Sequence, residues 1–280
     1  MTSGSSEGSR AERAAAFRRE SEERLLAVLD RQVPFESLSS LIHALHPSPS
    51  TQPLQSTAIG LDANVFLRMS SHSKSADIID YLSSAHAAPL ILPGQAVQEF
   101  WNNQLQAVDS VAAGLRKRFE QLKTDVSRVD PAFGEFAGEF EALLEKFSGE
   151  YGYAYDEATV RRTQALLEAI QAKARVPYAS RAKFADIAAQ RKRTKTPPGF
   201  KDDGDGDFYI WIDLLLGLCE ARAAGEAFDR VVLVSQDRKA DWMRESVAHP
   251  LLASEVNSLL SVPFEIWSLQ KLADEIGAVA

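Results

Sequence analysis

The sequence predicts an α/β protein in which a parallel sheet is covered by helices on both faces. Short, continuous apolar runs such as "APLIL" and "RVVLV" alternate along the chain with segments of helical spacing. Strands that are apolar on both faces are typical of a buried parallel sheet. The 280-residue chain is 45% hydrophobic, which is enough for a substantial core.

The N-terminal part is expected to precede the main domain. Residues 1–8 are rich in Ser and Gly, which predicts disorder. Residues 9–50 are expected to form a helical extension and a linker, because apolar positions recur at helical spacing and Pro and Ser accumulate from residue 46 onwards. The main domain is predicted to span residues 57–280.

Four strands are predicted in the main domain: "TAIGL" (57–61), "APLILPG", "DRVVLVSQD" and "PFEIWSL". The segment "FYIWIDLLLGLCEARAAG" is predicted to be a buried helix that ends at Gly225. Helices are also predicted for "KADWMRESV" and "LLASEVNSLL", and a terminal helix is predicted to begin at the N-cap Ser268. Between the second strand and the basic segment, residues 110–175 are expected to form an extended helical lobe.

Composition excludes several classes of protein. No apolar run approaches the ~20 residues that cross a bilayer, and the N-terminus lacks the apolar centre of a secretory signal, so a cytoplasmic location is expected. Cys219 is the single cysteine, which excludes a disulfide framework and a cysteine-rich zinc site. A net charge of −8 argues against a protein that coats nucleic acid non-specifically.

Four acidic residues are predicted to meet at one edge of the sheet. Asp62 and Asp237 each come directly after a strand, while Glu99 and Asp207 lie near the starts of helices. With right-handed crossovers, these helix starts lie at the edge where the parallel strands end. Carboxylates this close would repel one another unless a cation neutralised them. Oxygen ligands suit Mg²⁺ or Mn²⁺, and phosphodiester hydrolysis is the chemistry such a site supports.

The segment "KDDGDGDFYIW" leaves the third acid open. A calcium-binding EF-hand loop that starts at Asp203 would need Gly and Glu where Phe208 and Leu214 stand, so this interpretation fails. Asp203 and Asp205 are alternatives to Asp207, and Asp241 is a lesser candidate. A solvated acidic turn is the alternative for the whole segment.

A basic segment precedes these acids. Residues 175–201 hold eight Lys and Arg side chains against one acid, Asp186. The segment is either a solvated loop or an arm that attracts substrate phosphates. The candidate phosphate-binding residues, which include the two basic residues after Asp237, are Arg191, Lys192, Arg193, Lys195, Arg238 and Lys239.

The chain resembles the PIN-domain nuclease superfamily, and within it the larger bacterial PIN-like proteins. The motifs that carry the resemblance, "IGLDANVFL", "LPGQAVQEFWNN", "GDGDFYIW" and "VLVSQDRKADW", lie between residues 57 and 242. The resemblance implies a three-layer α/β/α sandwich and a Mg²⁺- or Mn²⁺-dependent nuclease that usually cuts RNA. It implies Asp62, Glu99, Asp207 and Asp237 as metal ligands. Asn64 and Ser235 are predicted to support the ligands from behind.

Several alternatives stay open at this stage. A toxin or anti-phage role is implied by the resemblance alone, as are a protein inhibitor and an activating partner. A single-stranded DNA nuclease and a catalytically silent scaffold that binds a partner protein are the competing functions. A haloacid dehalogenase-type phosphatase is disfavoured, because it would need a second Asp where Asn64 stands. The sequence leaves open whether one or two metal ions bind.

Overall fold

A five-stranded parallel sheet forms the centre of the protein. The computed structural model describes residues 4–46, 52–105 and 157–279, together with short helical pieces between residues 118 and 146. The strands are β1 Thr57–Leu61, β2 Leu90–Ile91, β3 Ala174–Arg175, β4 Arg230–Val234, β5 Met243–Arg244, β6 Val247–Ala248 and β7 Phe264–Trp267. The sheet has the order β3-β2-β1-β4-β7, while β5 and β6 form a separate antiparallel pair.

The two central strands determine where the site lies. β1 and β4 are buried along their whole length, as expected for continuous apolar strands in a covered parallel sheet. They pair in register from Thr57 opposite Arg230 to Leu61 opposite Val234. The residues that follow, Asp62 and Ser235, therefore leave the sheet side by side.

Helices cover both faces of the sheet. The helices are α1 Gly4–Leu29, α2 Ser37–Leu45, α3 Phe66–Ser71, α4 Ser75–Asp80, α5 Gly94–Glu99, α6 Glu157–Gln171, α7 Arg181–Thr194, α8 Gly206–Ala223, α9 Pro250–Leu260 and α10 Leu269–Val279. Short π-helical turns extend α4 and α5. One layer contains α1, α5, α8 and α9, and the other contains α3, α4, α6 and α10. The prediction of an α/β protein with three layers is confirmed.

The helix α8 runs through the middle of its layer. It is apolar on all sides, and its buried residues run almost without interruption from Phe208 to Ala221. Gly225, with φ of 85°, follows its end as predicted. Because the start of α8 lies at the edge of the sheet where β1 and β4 end, this helix brings Asp207 to that edge.

Two predicted elements differ from the structure. The helix expected for "KADWMRESV" is wrong, because residues 243–248 form the β5–β6 hairpin. Glu245 and Ser246 turn the chain there with φ of 49° and 69°, a conformation that a helix does not contain. The fifth strand, β3, was not predicted, because a strand of two residues leaves no periodic pattern.

The N-terminal region belongs to the core. α1 begins at Gly4 and runs through the predicted N-terminal helical extension. The disorder of residues 1–8 stays a prediction. Leu25, Val28 and Leu29 of α1 are buried in the same hydrophobic cluster as the sheet. Residues 1–3 and residues 47–51 of the predicted linker lie outside the described residues.

The predicted helical lobe is divided in the structure. Its C-terminal part, α6, packs against α3 and buries Leu166 and Ile170, so it belongs to the covering layer. Most of residues 110–156 lies outside the described residues. Within the described ranges, no helix combines the length and the hydropathy that a membrane crossing requires.

Candidate active site

Asp62 occupies the centre of the site, directly after β1. Its side chain is buried, and its Oδ2 accepts hydrogen bonds from Ser235 Oγ at 2.7 Å and from Asn64 Nδ2 at 2.8 Å. Ser235 follows β4, so the two central strands together fix this carboxylate. In the structure, Asn64 and Ser235 both contact Asp62.

Asp237 is held by the loop that follows β4. Its backbone N–H donates to Ser235 Oγ at 3.0 Å, and its Oδ1 accepts from the backbone N–H of Lys239 at 2.8 Å. The preceding loop residue, Gln236, donates its backbone N–H to Asn64 Oδ1 at 2.9 Å. The Asn64 side chain thus bridges the loops after β1 and β4.

Glu99 is positioned by a buried acid that the sequence interpretation missed. Asp213 of α8 is fully buried, and its Oδ2 accepts from the backbone N–H of Gln95 at 2.8 Å. Gln95 Nε2 in turn donates to Glu99 Oε1 at 3.0 Å. Asp213 also binds the guanidinium of Arg181, with Nη1 to Oδ1 at 2.7 Å. The sequence signal for this anchor is a single Asp within the apolar run "IWIDLLLGL".

Asp207 lies in the first turn of α8. Its Oδ2 accepts a hydrogen bond at 2.9 Å from Nε1 of Trp242, the residue directly before β5. Gly206, one residue earlier, lies directly against Glu99, and a Cβ at Gly206 would overlap Glu99 Oε1. A residue without a side chain at this position therefore lets α8 begin beside α5.

These acids line one small cavity of about 180 Å³. Four elements contribute to it, and the residues that line it are Asp62, Ala63, Asn64, Glu99, Asp207, Ile210, Asp237 and Lys239. Asp241 lies elsewhere, buried with its Oδ2 accepting from the backbone N–H of Gly199 at 3.0 Å. Asp205 pairs with Lys192 at 3.0 Å, and it is not among the lining residues, nor is Asp203.

Burial and mutual repulsion raise the pKa of two of these carboxyl groups. Burial raises the pKa of Asp62 to about 6, with Ser235 opposing the shift and the charges of Glu99 and Asp237 adding to it. Burial also raises the pKa of Asp207 to about 7, together with its hydrogen bond to Asp202, while Trp242 and Lys239 oppose the shift. A cation in the cavity would stabilise the ionised form of both carboxyl groups.

Lys239 supplies a positive charge within the site. Its Nζ lies 2.6 Å from Asp202 Oδ2, 3.1 Å from Asp237 Oδ2 and 3.3 Å from Asp207 Oδ2. Burial disfavours the charged lysine, but the hydrogen bonds to Asp202 and Asp237 and the nearby carboxylates raise the pKa of Lys239 above its ordinary value. The sequence pattern predicts neither these contacts of Lys239 nor the participation of Asp202 in them.

The donor set suits a hard divalent cation. Four carboxylates line the cavity, and oxygen ligands of this kind are those that Mg²⁺ and Mn²⁺ prefer. Within the ranges that the structure describes, however, no three Asp, Glu, His or Cys side chains converge on one point as metal ligands do. The side chains therefore fit the cation by chemistry, and a bound ion would have to draw their oxygens closer together.

The predicted phosphate-binding residues fall into four groups. Arg191 is buried and pairs with Glu255, with Nη1 to Oε1 at 2.8 Å, so the prediction that it binds phosphate is wrong. Lys192 binds Asp205 and the backbone oxygen of Asp203. Arg193, Lys195 and Arg238 are exposed. Lys239 lies inside the acidic cavity.

The parallel sheet with an acid-lined edge defines a PIN-like α/β protein. Residues 156–255 match the family model of the PIN like domain, a range that contains both Asp207 and Asp237. This match supports an assignment to the PIN-domain superfamily, whose members are in general nucleases. Neither a curated protein nor a solved structure matches the chain.

Proposed function

We propose that the protein is a metal-dependent nuclease that hydrolyses phosphodiester bonds, with RNA as the favoured substrate. The observation that carries this proposal is the cavity at the carboxyl edge of the sheet, lined by Asp62, Glu99, Asp207 and Asp237. These are the candidate catalytic and metal-binding residues. The match to the PIN like domain supports the same class of activity.

The proposed cofactor is Mg²⁺ or Mn²⁺. When bound, such an ion polarises a phosphoryl oxygen and lowers the pKa of its bound water. The protein's own contribution is to hold the carboxylates in place: Ser235 and Asn64 orient Asp62, and Gln95 orients Glu99. The raised pKa of Asp62 and Asp207 supports a site that is built to receive positive charge.

Three exposed basic side chains are the proposed contacts to substrate phosphates. Arg193 and Lys195 lie at the end of α7, and Arg238 follows Asp237. If this assignment holds, Arg193→Glu with Lys195→Glu will weaken RNA binding and lower its salt dependence by about one unit of slope for each lost contact. Unchanged salt dependence would remove these residues from the substrate site.

The biological role belongs to the same proposal and rests on the family resemblance. A toxin or an anti-phage effector would cut RNA in the cytoplasm, under the control of a protein inhibitor or an activating partner. The cleavage assay decides between RNA, single-stranded DNA and a scaffold without activity.

The decisive experiment compares the wild-type protein with Asp62→Asn and Asp237→Asn. Labelled single-stranded RNA, single-stranded DNA and duplex DNA are each incubated with Mg²⁺, Mn²⁺ or EDTA. We expect RNA cleavage that requires the metal and that falls at least about 100-fold in both variants, because transition-state charge stabilisation by the ion is worth several kcal/mol.

The surface substitution Asp80→Asn, on α4, is the matched control and should cleave as the wild type does. Circular dichroism and thermal unfolding establish that each variant is folded. If the folded wild-type protein cut none of the three substrates with either ion, the nuclease proposal would fall and the scaffold function would replace it.

A further inference from the structure

The acids of the candidate site form two groups that differ in how their charge is balanced. Asp62 and Glu99 accept hydrogen bonds from neutral side chains, namely Ser235, Asn64 and Gln95. Asp202 and Asp207 instead contact the ammonium group of Lys239. Asp237 lies between the groups, since it contacts Lys239 and its charge also acts on Asp62.

The ammonium group of Lys239 contacts three carboxylates at once. An ammonium has three N–H donors, and the Nζ of Lys239 meets three carboxylates at 2.6, 3.1 and 3.3 Å. Asp237 Oδ1 also accepts from the Lys239 backbone N–H, which fixes the start of the side chain. Lys239 is therefore a tethered cation held between Asp207 and Asp237.

This position is where a second metal ion would have to bind. Two-metal sites hold their ions ~3.5–4 Å apart and share carboxylates between them. With Asp237 shared, a second ion would have to take Asp207, whose Oδ2 contacts Lys239. A divalent ion beside an ammonium at such distances is strongly repelled, because like charges this close in a partly buried site are only weakly screened.

We propose that Lys239 takes the place of a second metal ion, so that the site binds one divalent cation, at Asp62, Glu99 and Asp237. This inference rests on the proposed metal-dependent function and revises its ligand set: of the four candidate acids, Asp207 binds Lys239 and not the ion. Asp207 and Asp202 hold Lys239, and Asp207 acts on the reaction by positioning this lysine.

The test counts bound ions, with Mn²⁺ alone as the probe. Isothermal calorimetry gives the stoichiometry, and electron paramagnetic resonance of free Mn²⁺ checks it. We expect one Mn²⁺ per wild-type chain and two in Lys239→Met, because the substitution frees the carboxylates that the ammonium occupies. Lys239→Arg, which keeps the charge, should still bind one.

Lys192→Met is the matched control. Lys192 also pairs with an acid of the 202–207 segment, Asp205 at 3.0 Å, but it is not among the residues that line the cavity. Lys192→Met removes one positive charge, as Lys239→Met does, and should leave the stoichiometry at one Mn²⁺ per chain. Thermal unfolding in EDTA establishes that the variants are folded.

A second pair of variants tests the inference without altering Lys239. Asp62→Asn should abolish binding of the single ion, whereas Asp207→Asn should leave one ion with affinity within about threefold of wild type. Loss of the ion in Asp207→Asn would overturn the assignment, as would two ions in the wild type or one ion in folded Lys239→Met. If no variant and no wild-type protein bound Mn²⁺, the proposed metal-dependent function itself would fail.

Discussion

The fold buries the carboxyl group of Asp62, and this burial disfavours its charged form. The carboxyl group lies at the end of the central strand, buried, with a pKa of about 6 against an ordinary value of 3.8. An acid whose pKa is higher in the folded chain holds more protons when folded than when unfolded. The free energy of unfolding therefore falls as pH rises between 3.8 and about 6.

Asp62→Asn should remove this pH dependence, because Asn has nearly the same size and no charge. We expect the variant to gain stability over the wild type as pH rises from 4 to 7, by on the order of 3 kcal/mol. Urea unfolding at several pH values in EDTA measures the difference. Asp80→Asn on the surface is the control, and a gain for Asp62→Asn that is the same at pH 4 and pH 7 would contradict the prediction.

At the residue scale, the position of an acid relative to a strand or helix predicted its place in the site. Contacts between residues far apart in the sequence could not be predicted. Asp62 and Asp237 could be placed at one edge because each follows a buried strand. Glu99 and Asp207 could be added from the crossover rule. Lys239 contacts Asp202 and Asp207 across 37 and 32 positions of the chain, and no periodic pattern encodes these contacts.

Arg191 was misinterpreted for a related reason. It stands in a basic run that resembles a solvated arm, yet it points inward to Glu255, which is fully buried. Glu255 lies 64 positions away on α9, so the partner that explains the burial of Arg191 is invisible locally. A buried arginine needs such a partner because its charge cannot be left unpaired.

At the scale of elements, the site depends on how closely two helices begin beside each other. The start of α8 touches Glu99 of α5 at Gly206, where any side chain would displace the Glu99 carboxylate. Gly206 stands in an ordinary helical conformation, so alanine would be tolerated by the backbone itself. The substitution therefore tests the position of the Glu99 carboxylate while leaving the helical backbone at residue 206 unstrained.

We expect Gly206→Ala to lower cleavage by roughly 10- to 100-fold, because small displacements of reacting groups have effects of this size. Its unfolding free energy should stay within about 1 kcal/mol of wild type or rise, since Ala favours helix over Gly. Kinetics at saturating RNA and urea unfolding give the two values.

Gly204→Ala is the control, since the nearest atom to a Cβ there is 4.0 Å away. Equal loss of cleavage in both variants would show that the segment tolerates no alanine and would contradict the specific role of Gly206.

The elements themselves were predictable where their apolar pattern is long. α8 and the strands β1, β4 and β7 have continuous apolar runs, and the structure contains all of them. β3 and the β5–β6 hairpin have two-residue strands, so turn geometry and tertiary contacts decide them. The hairpin contributes to the site, because Trp242, directly before it, donates a hydrogen bond to Asp207.

At the scale of the whole molecule, the N-terminal helix is part of the folded unit. α1 packs on α8 and α9, and Arg31 beyond its end pairs with Glu255 at 2.9 Å. Glu255 also accepts from Arg191 and from Trp211 Nε1. The predicted boundary at residue 57 therefore separates, in sequence, segments that share one core.

Leu25→Ala should destabilise the protein by about 2–5 kcal/mol, because Leu25 is fully buried and its loss leaves a cavity. Leu38→Ala on α2, where the side chain is 68% exposed, is the matched control and should stay within about 0.5 kcal/mol of wild type. Chemical unfolding measures both. Similar, small effects for the two variants would show that α1 is an independent extension.

The pairing of Ser235 with Asp62 joins residues 173 positions apart. Domains begin to fold during synthesis, at ~5–20 residues per second, but this contact cannot form until the second partner has left the ribosome. A nascent chain thus carries Asp62 and Glu99 for many seconds without Asp237 or Lys239. With the proposed nuclease function, the chain would remain inactive toward its own messenger until Asp237 and Lys239 had been synthesised.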